Sequence, residues 1–222
     1  MIPEFDSIKA GKTKLATNII NRYTSLASAV NLLSERKLTL LDPNTWDDKN
    51  DVHYLDRYKK AVSAKSVYAL CLSRAGQTYH HWRVFAGGPD GVCISFFEDK
   101  LKESFEWDPR VEYQDVEYLS IREARSRVPL EDDDLKFVKH SRYKPEQETR
   151  VVFTDKRAKT EFPSYDIDLD AVKRITLSPW LSKPLVSSMR KLLKSIDGCR
   201  DLEVYRSTLT DFKDWKALAD RR

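Results

Sequence analysis

Tyr143 to Thr154 reads YKPEQETRVVFT, a polar approach through Lys144 and Pro145 that ends on Val151, Val152 and Phe153. A β-branched and aromatic run behind a proline predicts a strand entering a core. Side chains alternate along a strand, which sets Glu146, Glu148 and Arg150 on one face and Thr149, Val151 and Phe153 on the other. Neighbours on one face lie about 7 Å apart. Two carboxylates and a guanidinium therefore line the open end of a strand anchored by its apolar half. Such a row suits the stabilisation of a cation formed transiently in a substrate. The same pattern also fits a solvated strand end carrying a charge ladder.

Outward from this stretch, the chain of 222 residues is 41% apolar, enough to bury one core. The expected organisation is one domain over 1–222, with 1–17 as a polar extension and 209–222 as a charged tail. No Gly/Ser-rich or Pro-rich linker divides it. The N-terminus lacks the apolar core of a secretory signal, and no apolar run approaches spanning length. The expected location is cytoplasmic, away from the membrane. Cys71, Cys93 and Cys199 are odd in number and sit in apolar or turn contexts, which fits reduced buried thiols. Net charge is +4, unevenly placed: Glu98–Asp134 carries 13 acidic and 6 basic residues, Ala171–Arg222 12 basic and 6 acidic. That polarity would steer a nucleic acid onto the C-terminal region, or dock an oppositely charged protein.

Asn18–Ser25 predicts a first strand running into a helix capped by Thr24 or Ser25, which places Arg22 and Tyr23 at a strand-to-helix junction. Lys37–Asp42 reads as a short strand and Pro43–Asp51 as a loop around Trp46, with Asn50 and Asp51 capping the next helix. Ser66–Arg74 is an apolar strand ending in Ser73 and Arg74. A short helical segment follows with Tyr79, His80, His81, Trp82 and Phe85, then a Gly-Pro-Asp-Gly turn and a strand over Val92–Phe97. Arg110–Leu119 reads as one strand, 121–128 and 130–143 as helices, and Lys173–Trp180 as a strand. Ser182 opens a helix closed by Gly198, and Leu202–Thr208 is a last strand. Seven or eight strands with helices scattered between them, and no repeat, favour α+β over a doubly wound sheet.

Several chemistries drop out. Gly87, Gly88 and Gly91 precede a strand instead of opening a helix, unlike a dinucleotide fold or a P-loop. Adjacent His80 and His81 diverge on a helix and cannot chelate as an i, i+4 pair, and no cysteines stand at zinc spacing. There is no Gly-x-Ser-x-Gly elbow. Cys71 and Cys93 sit inside apolar strands, away from thiolate chemistry. Asp47, Asp48 and Asp51 lack the spacing of a calcium loop, although with the Glu pair they would suit a metal-dependent nuclease. A second alternative is a nucleic-acid-binding module without catalysis, built on the basic C-terminal region with Trp180, Tyr205 and Trp215.

Five blocks carry a resemblance: RYTSL from Arg22, PNTWDD from Pro43, LCLS from Leu70, HHWRVFAGGPDGVCISF from His80 and KPEQETRVV from Lys144. In this order they resemble a widespread family of bacterial and phage proteins of unassigned function. The chain departs from it at Trp46-Asp47-Asp48-Lys49, where Phe-Asn-Asp-Pro is usual, and at Pro145, where an aromatic is. That family is in turn similar to the ADP-ribosyltransferases, which place Arg or His on a first strand, Ser or Tyr on a second, and Glu on a later one. Arg22, Ser73 and Glu148 follow that order, with Glu146 two residues earlier.

The resemblance implies a mixed, largely antiparallel split sheet with flanking helices, and NAD as a substrate. It implies mono-ADP-ribosyl transfer by a toxin or phage-defence effector onto RNA, DNA or protein, with a neutralising antitoxin as a further partner and no metal. Catalysis then falls to Glu148, Glu146 and Arg22. Glu148 holds a ribose hydroxyl beside the developing cation, Glu146 orients or deprotonates the nucleophile, and Arg22 grips a phosphate or ribose. Ser73 supports the ribose or Glu148, and Tyr23 or Trp82 stacks on nicotinamide. Arg22 or Arg150 keeps Glu148 ionised.

Overall fold

The computed structural model describes residues 18–127 and 130–220; the extension expected over 1–17 and the end of the tail lie outside them. The chain opens with β1 (Ile19–Ser25), α1 (Leu26–Glu35) and β2 (Lys37–Thr39). Ser25 caps α1 by accepting from the Ser28 amide, and Arg36 closes it in the left-handed region, φ 52°. A 3-10 turn at Pro43–Thr45 leads to α2 (Lys49–Ala61). Its cap is Asp48, which accepts from the Asn50 amide; Asn50 and Asp51, expected as caps, lie inside the helix, and Asp51 is buried. Then come β3 (Ser66–Ser73), α3 (Tyr79–Val84), β4 (Gly91–Phe97), α4 (Glu98–Glu103), β5 (Val111–Asp115), β6 (Glu117–Leu119) and α5 (Ile121–Ser126). β7 (Val138–His140), a 3-10 turn at Ser141–Glu146, β8 (Glu148–Asp155), β9 (Ser164–Asp166), β10 (Val172–Leu177), α6 (Lys183–Ser195), β11 (Glu203–Arg206) and α7 (Lys213–Ala219) complete it.

Two readings are corrected. The strand expected over Arg110–Leu119 breaks at Val116, whose amide donates to the Glu148 carbonyl at 2.9 Å. β5 thus stays on β8, while β6 leaves to pair with β7. The helix expected over 130–143 is absent: Asp132–Lys136 is one 3-10 turn, and Val138–His140 is drawn into a parallel pair with Glu117–Leu119. Tertiary pairing overrides the local pattern there.

Seven strands form the main sheet, in the order β11-β10-β4-β1-β3-β8-β5, antiparallel throughout except for β10 with β11. This is the α+β, largely antiparallel arrangement expected. It is also split. β1 pairs with β4 from end to end, and β3 with β8 likewise, whereas β1 meets β3 at one residue pair, Asn21 with Ser73. Beyond that pair the central strands part.

One face of the sheet (Ile20, Leu70, Leu72, Ile94, Val151, Ile175) packs against α1, α4 and α6 through Leu32, Leu33, Leu101 and Leu193. The other face carries two smaller clusters. Leu55 and Tyr58 of α2 cover Val67, Ala69 and Val152; Trp82 and Ala86, at and beyond α3, cover Cys93 beside Tyr23. Between those two covers, where β1 and β3 part, lies a cavity. No helix among the described residues is long and apolar enough to cross a membrane.

Gly91, at the head of β4, fixes how closely α3 approaches the sheet. A Cβ there would lie 2.3 Å from the Ala86 carbonyl oxygen and 2.6 Å from its Cβ. Gly91→Ala should therefore destabilise the protein by about 1–3 kcal/mol. Urea unfolding should show a lower midpoint at an unchanged slope.

Candidate active site

The cavity has a volume of about 500 Å3 and is lined by β1, the end of β3, α3, the Trp46 loop and the start of β8. Its base is ionic. Arg150, wholly buried, donates Nε–H to Glu148 Oε1 at 2.6 Å and an Nη2–H to Asp51 Oδ2 at 2.7 Å. The Lys139 ammonium lies 2.7 Å from Glu146 Oε2, 3.2 Å from Glu148 Oε2 and 3.1 Å from Asp51 Oδ2. Three carboxylates thus share two cations out of contact with bulk water. Burial alone would raise the Glu148 carboxyl; Arg150 first, then Lys139, outweigh it and hold the pKa down to about 2. Asp51 goes the other way: burial raises it, and Arg150 and Lys139 offset only part. The solvated charge ladder is thereby excluded, since Glu146, Glu148 and Arg150 are all buried.

Glu146 reaches this cluster by a different route from the one its spacing predicts. It ends a 3-10 turn, and Gln147 stands between it and β8 in the left-handed region, φ 43°. The two carboxylates therefore converge on the Lys139 ammonium from a turn and a strand, not along one pleat. The turn is pinned at its carbonyl. Ser73 Oγ donates to the Glu146 oxygen at 2.6 Å, and His81 Nε2 lies 3.1 Å from Ser73 Oγ and 3.3 Å from the same oxygen. Thr78 Oγ1 lies 2.6 Å from His81 Nδ1. This network assigns the proton to Nε2, and burial lowers the His81 pKa, keeping the ring neutral. Ser73 thus supports Glu146, where Glu148 or a ribose was expected. His80, half-exposed, brings Nε2 to 3.5 Å from Glu146 Oε1.

Across the cavity stands Arg22. Only 8% of it is exposed, and among the described residues no hydrogen bond or ion pair reaches its guanidinium. Burial pulls its pKa down to about 10. Arg22 and Tyr23 project from opposite sides of β1, yet both line the cavity because the sheet opens beside them. The Tyr23 ring lies 5.1 Å from that of His81 and meets Trp82 edge-on at 5.4 Å; burial raises its hydroxyl pKa, so it stays protonated. Half-buried Trp46 lies beside the Arg150 guanidinium, 5.5 Å from it, and Phe85 stands at the rim.

Arg22, Tyr23, Ser73, Glu146 and Glu148 all line this one cavity. Trp82 does not. It is fully buried, its indole N–H donating to Gln77 Oε1 at 3.2 Å, so the stacking role is removed from it: it is core beneath Tyr23. Arg22 is likewise not the group that keeps Glu148 ionised; Arg150 and Lys139 are. Among the described residues no three His, Cys, Asp or Glu side chains gather to hold a metal, and Asp51 is ion-paired with Arg150 at 2.7 Å. Cys71 lines the cavity next to Glu148, with burial and that carboxylate raising its thiol far above the thiolate range. Sequence reasoning missed Lys139, hidden in an expected helix, and read Asp51 only as a cap or metal ligand. Arg150 was foreseeable, two residues from Glu148 on one strand face.

Comparison with solved structures finds Thermus sp. 2.9 DarT in complex with ADP-ribosylated ssDNA, at 10% identity and a TM-score of 0.47, over 92% of this chain and 98% of that one. The same protein in complex with NAD+ matches at 9% identity and 0.45, over 91% and 99%. Its complex with carba-NAD+ matches at 12% and 0.44, over 90% and 98%. No family model matches the chain, and no curated protein does.

Because the folded-state pKa of Glu148 lies near 2, below its ordinary 4.5, the carboxylate contributes stability that is complete above about pH 4.5 and is lost as pH falls toward 2. Glu148→Gln should remove that acid-sensitive component and cost Arg150 and Lys139 one charge-assisted partner while Asp51 and Glu146 still balance them, at about 1–3 kcal/mol at neutral pH. Chemical denaturation at a series of pH values checks this; identical pH slopes in variant and parent would overturn it.

Proposed function

We propose that this cavity binds NAD and that the chain transfers ADP-ribose from it to an acceptor nucleophile. The observation that carries the reading is Arg22: a largely buried guanidinium without a counter-ion among the described residues, on the wall of a cavity that also holds an ionised, buried carboxylate. An unpaired buried cation is costly, and a bound phosphate relieves that cost through paired, charge-assisted hydrogen bonds. A volume of about 500 Å3 suits a nucleotide-sized ligand.

In the reaction, the bond from ribose C1′ to the nicotinamide nitrogen breaks, and its electron pair leaves with neutral nicotinamide. No general acid is needed. Positive charge gathers on the ribose as the acceptor's lone pair forms the new bond to C1′, a charge distribution that carboxylates stabilise in glycoside hydrolysis. With its pKa held down to about 2 by Arg150 and Lys139, Glu148 is ionised at neutral pH. Arg150 occupies one acceptor site of its Oε1, leaving room for a ribose hydroxyl. Glu146, Glu148 and Asp51 against Lys139 and Arg150 leave a formal excess of one negative charge beneath the forming cation. Glu146 takes the acceptor's proton, and His80 offers it a way to solvent. Tyr23 and Phe85 flank the departing ring.

A nucleic-acid-binding module without catalysis would leave Arg22 and the buried carboxylates without a task. The toxin or phage-defence role, the antitoxin, and the choice among RNA, DNA and protein as acceptor rest on the family resemblance alone.

Arg22→Met gives a test in which fold and function move apart. Removing an unpaired buried charge should leave the melting temperature unchanged or higher, while NAD turnover falls by about a hundredfold or more. Labelled NAD with cell RNA, DNA or extract supplies the readout; full turnover in this variant would end the reading. Glu146→Gln should keep NAD binding, followed by calorimetry, and lose transfer by about 10²–10⁴-fold.

A further inference from the structure

A second cavity, of about 510 Å3, opens where β10 and β11 run into the segment leading to α7. Its chemistry is unlike that of the first. Arg174 and Arg206 line it together with the hydroxyls of Thr176 and Ser207 and the aromatics Tyr205 and Phe212; no carboxylate does. Arg206 is held in place, donating Nε–H to the Leu181 carbonyl at 2.9 Å and an Nη2–H to that of Pro179. Neither bond neutralises it. Arg174 is barer still: among the described residues its guanidinium has no partner, and its buried Nε is unbonded. Glu203 is its cross-strand neighbour in β11 but forms no ion pair with it. Asp211, near Arg206, is taken by Lys216 at 2.6 Å. Two guanidiniums without a carboxylate partner among the described residues select an anion in one concavity, and planar forks beside the Thr176 hydroxyl match phosphate geometry, the Ser207 hydroxyl being already donated to Gln77 Oε1 at 2.7 Å. Tyr205 and Phe212 are each half-exposed, so an aromatic face is offered beside the charge.

We propose that this cavity is a second ligand site that takes a nucleoside phosphate, the phosphate between Arg174 and Arg206 and the base against Tyr205 or Phe212. Such a ligand is either a free nucleotide or one unit of a single strand, since stacking with phosphate contact serves both. The two cavities share no lining residue, so the second site is tested separately from the Arg22 cavity.

The test is anisotropy of a fluorescein-labelled single-stranded decanucleotide on the full chain across a salt series, with adenosine monophosphate as competitor. Parent protein should bind with affinity that falls as salt rises. Arg174→Gln, which breaks no side-chain hydrogen bond or ion pair among the described residues, should weaken binding about tenfold or more and reduce the logarithmic salt slope by about one. Tyr205→Ser should weaken it about tenfold, and Arg22→Met should leave it unchanged. Displacement by the mononucleotide at the Arg174-dependent site identifies a free nucleotide as sufficient; failure to displace identifies the strand. Absence of binding by both probes, or binding lost in Arg22→Met and retained in a folded Arg174→Gln, would overturn the proposal.

Discussion

Lys139 and Arg150 hold three carboxylates out of water, and much of the molecule is arranged around that fact. Asp51 comes from α2, Glu146 from a 3-10 turn, Glu148 and Arg150 from β8, and Lys139 from the short strand β7. Four separate segments must arrive together, because any one charge left without its partners would bear a desolvation cost of several kcal/mol. The cluster therefore acts as a constraint on topology: it demands β7 beside β8 and the first turn of α2 above both. Apolar residues of equal volume would hold the same segments together at least as well. Stability alone does not account for such a set of charges, and its position at the base of a cavity does.

Set against this is the opposite treatment of Arg22. Where Arg150 has a carboxylate on each side, Arg22 has none among the described residues, though both are buried. The contrast divides labour across the cavity. One wall is internally compensated and keeps Glu148 ionised; the other carries a cation with no counter-ion among the described residues. A ligand with an anionic part and a part that becomes cationic is complementary to both walls at once.

How much of this the sequence makes legible follows from how local each feature is. β1, β3, β4, β10 and β11 declare themselves by apolar runs, and α1 by its Ser25 cap, since those signals lie within one element. Ser73 and Glu148 stand at strand ends and Arg22 within β1, where alternation can be counted. The 130–143 segment misleads because its charges mimic an exposed helix, while Lys136 and Lys139 are in fact buried against acids that include Glu112 and Asp51, far off in the chain. Trp82 is equally opaque: an aromatic beside two histidines reads as a platform until Tyr23 is seen to lie over it. Asp51 looks like a cap because the acid that does cap α2 is three residues away.

The cavity itself depends on a joint no local signal reveals. β1 touches β3 only at Asn21 and Ser73, and Asn21 secures that point from both sides. Its Nδ2–H donates to the Ala75 carbonyl just past β3 at 3.2 Å, while its Oδ1 accepts from Ser95 of β4 at 2.8 Å. Ser73, the other half of the pair, is spent on the Glu146 carbonyl. The last hydrogen-bonded rung before the strands part is thus also what aims the Glu146 turn. An apolar residue at position 21 would leave the Ala75 carbonyl and the Ser95 hydroxyl without this partner and loosen the joint between β1 and β3, while the β4 ladder still holds β1 in register. The cavity thus opens beyond a rung that one amide ties to both neighbouring strands, and the charges line the room past it.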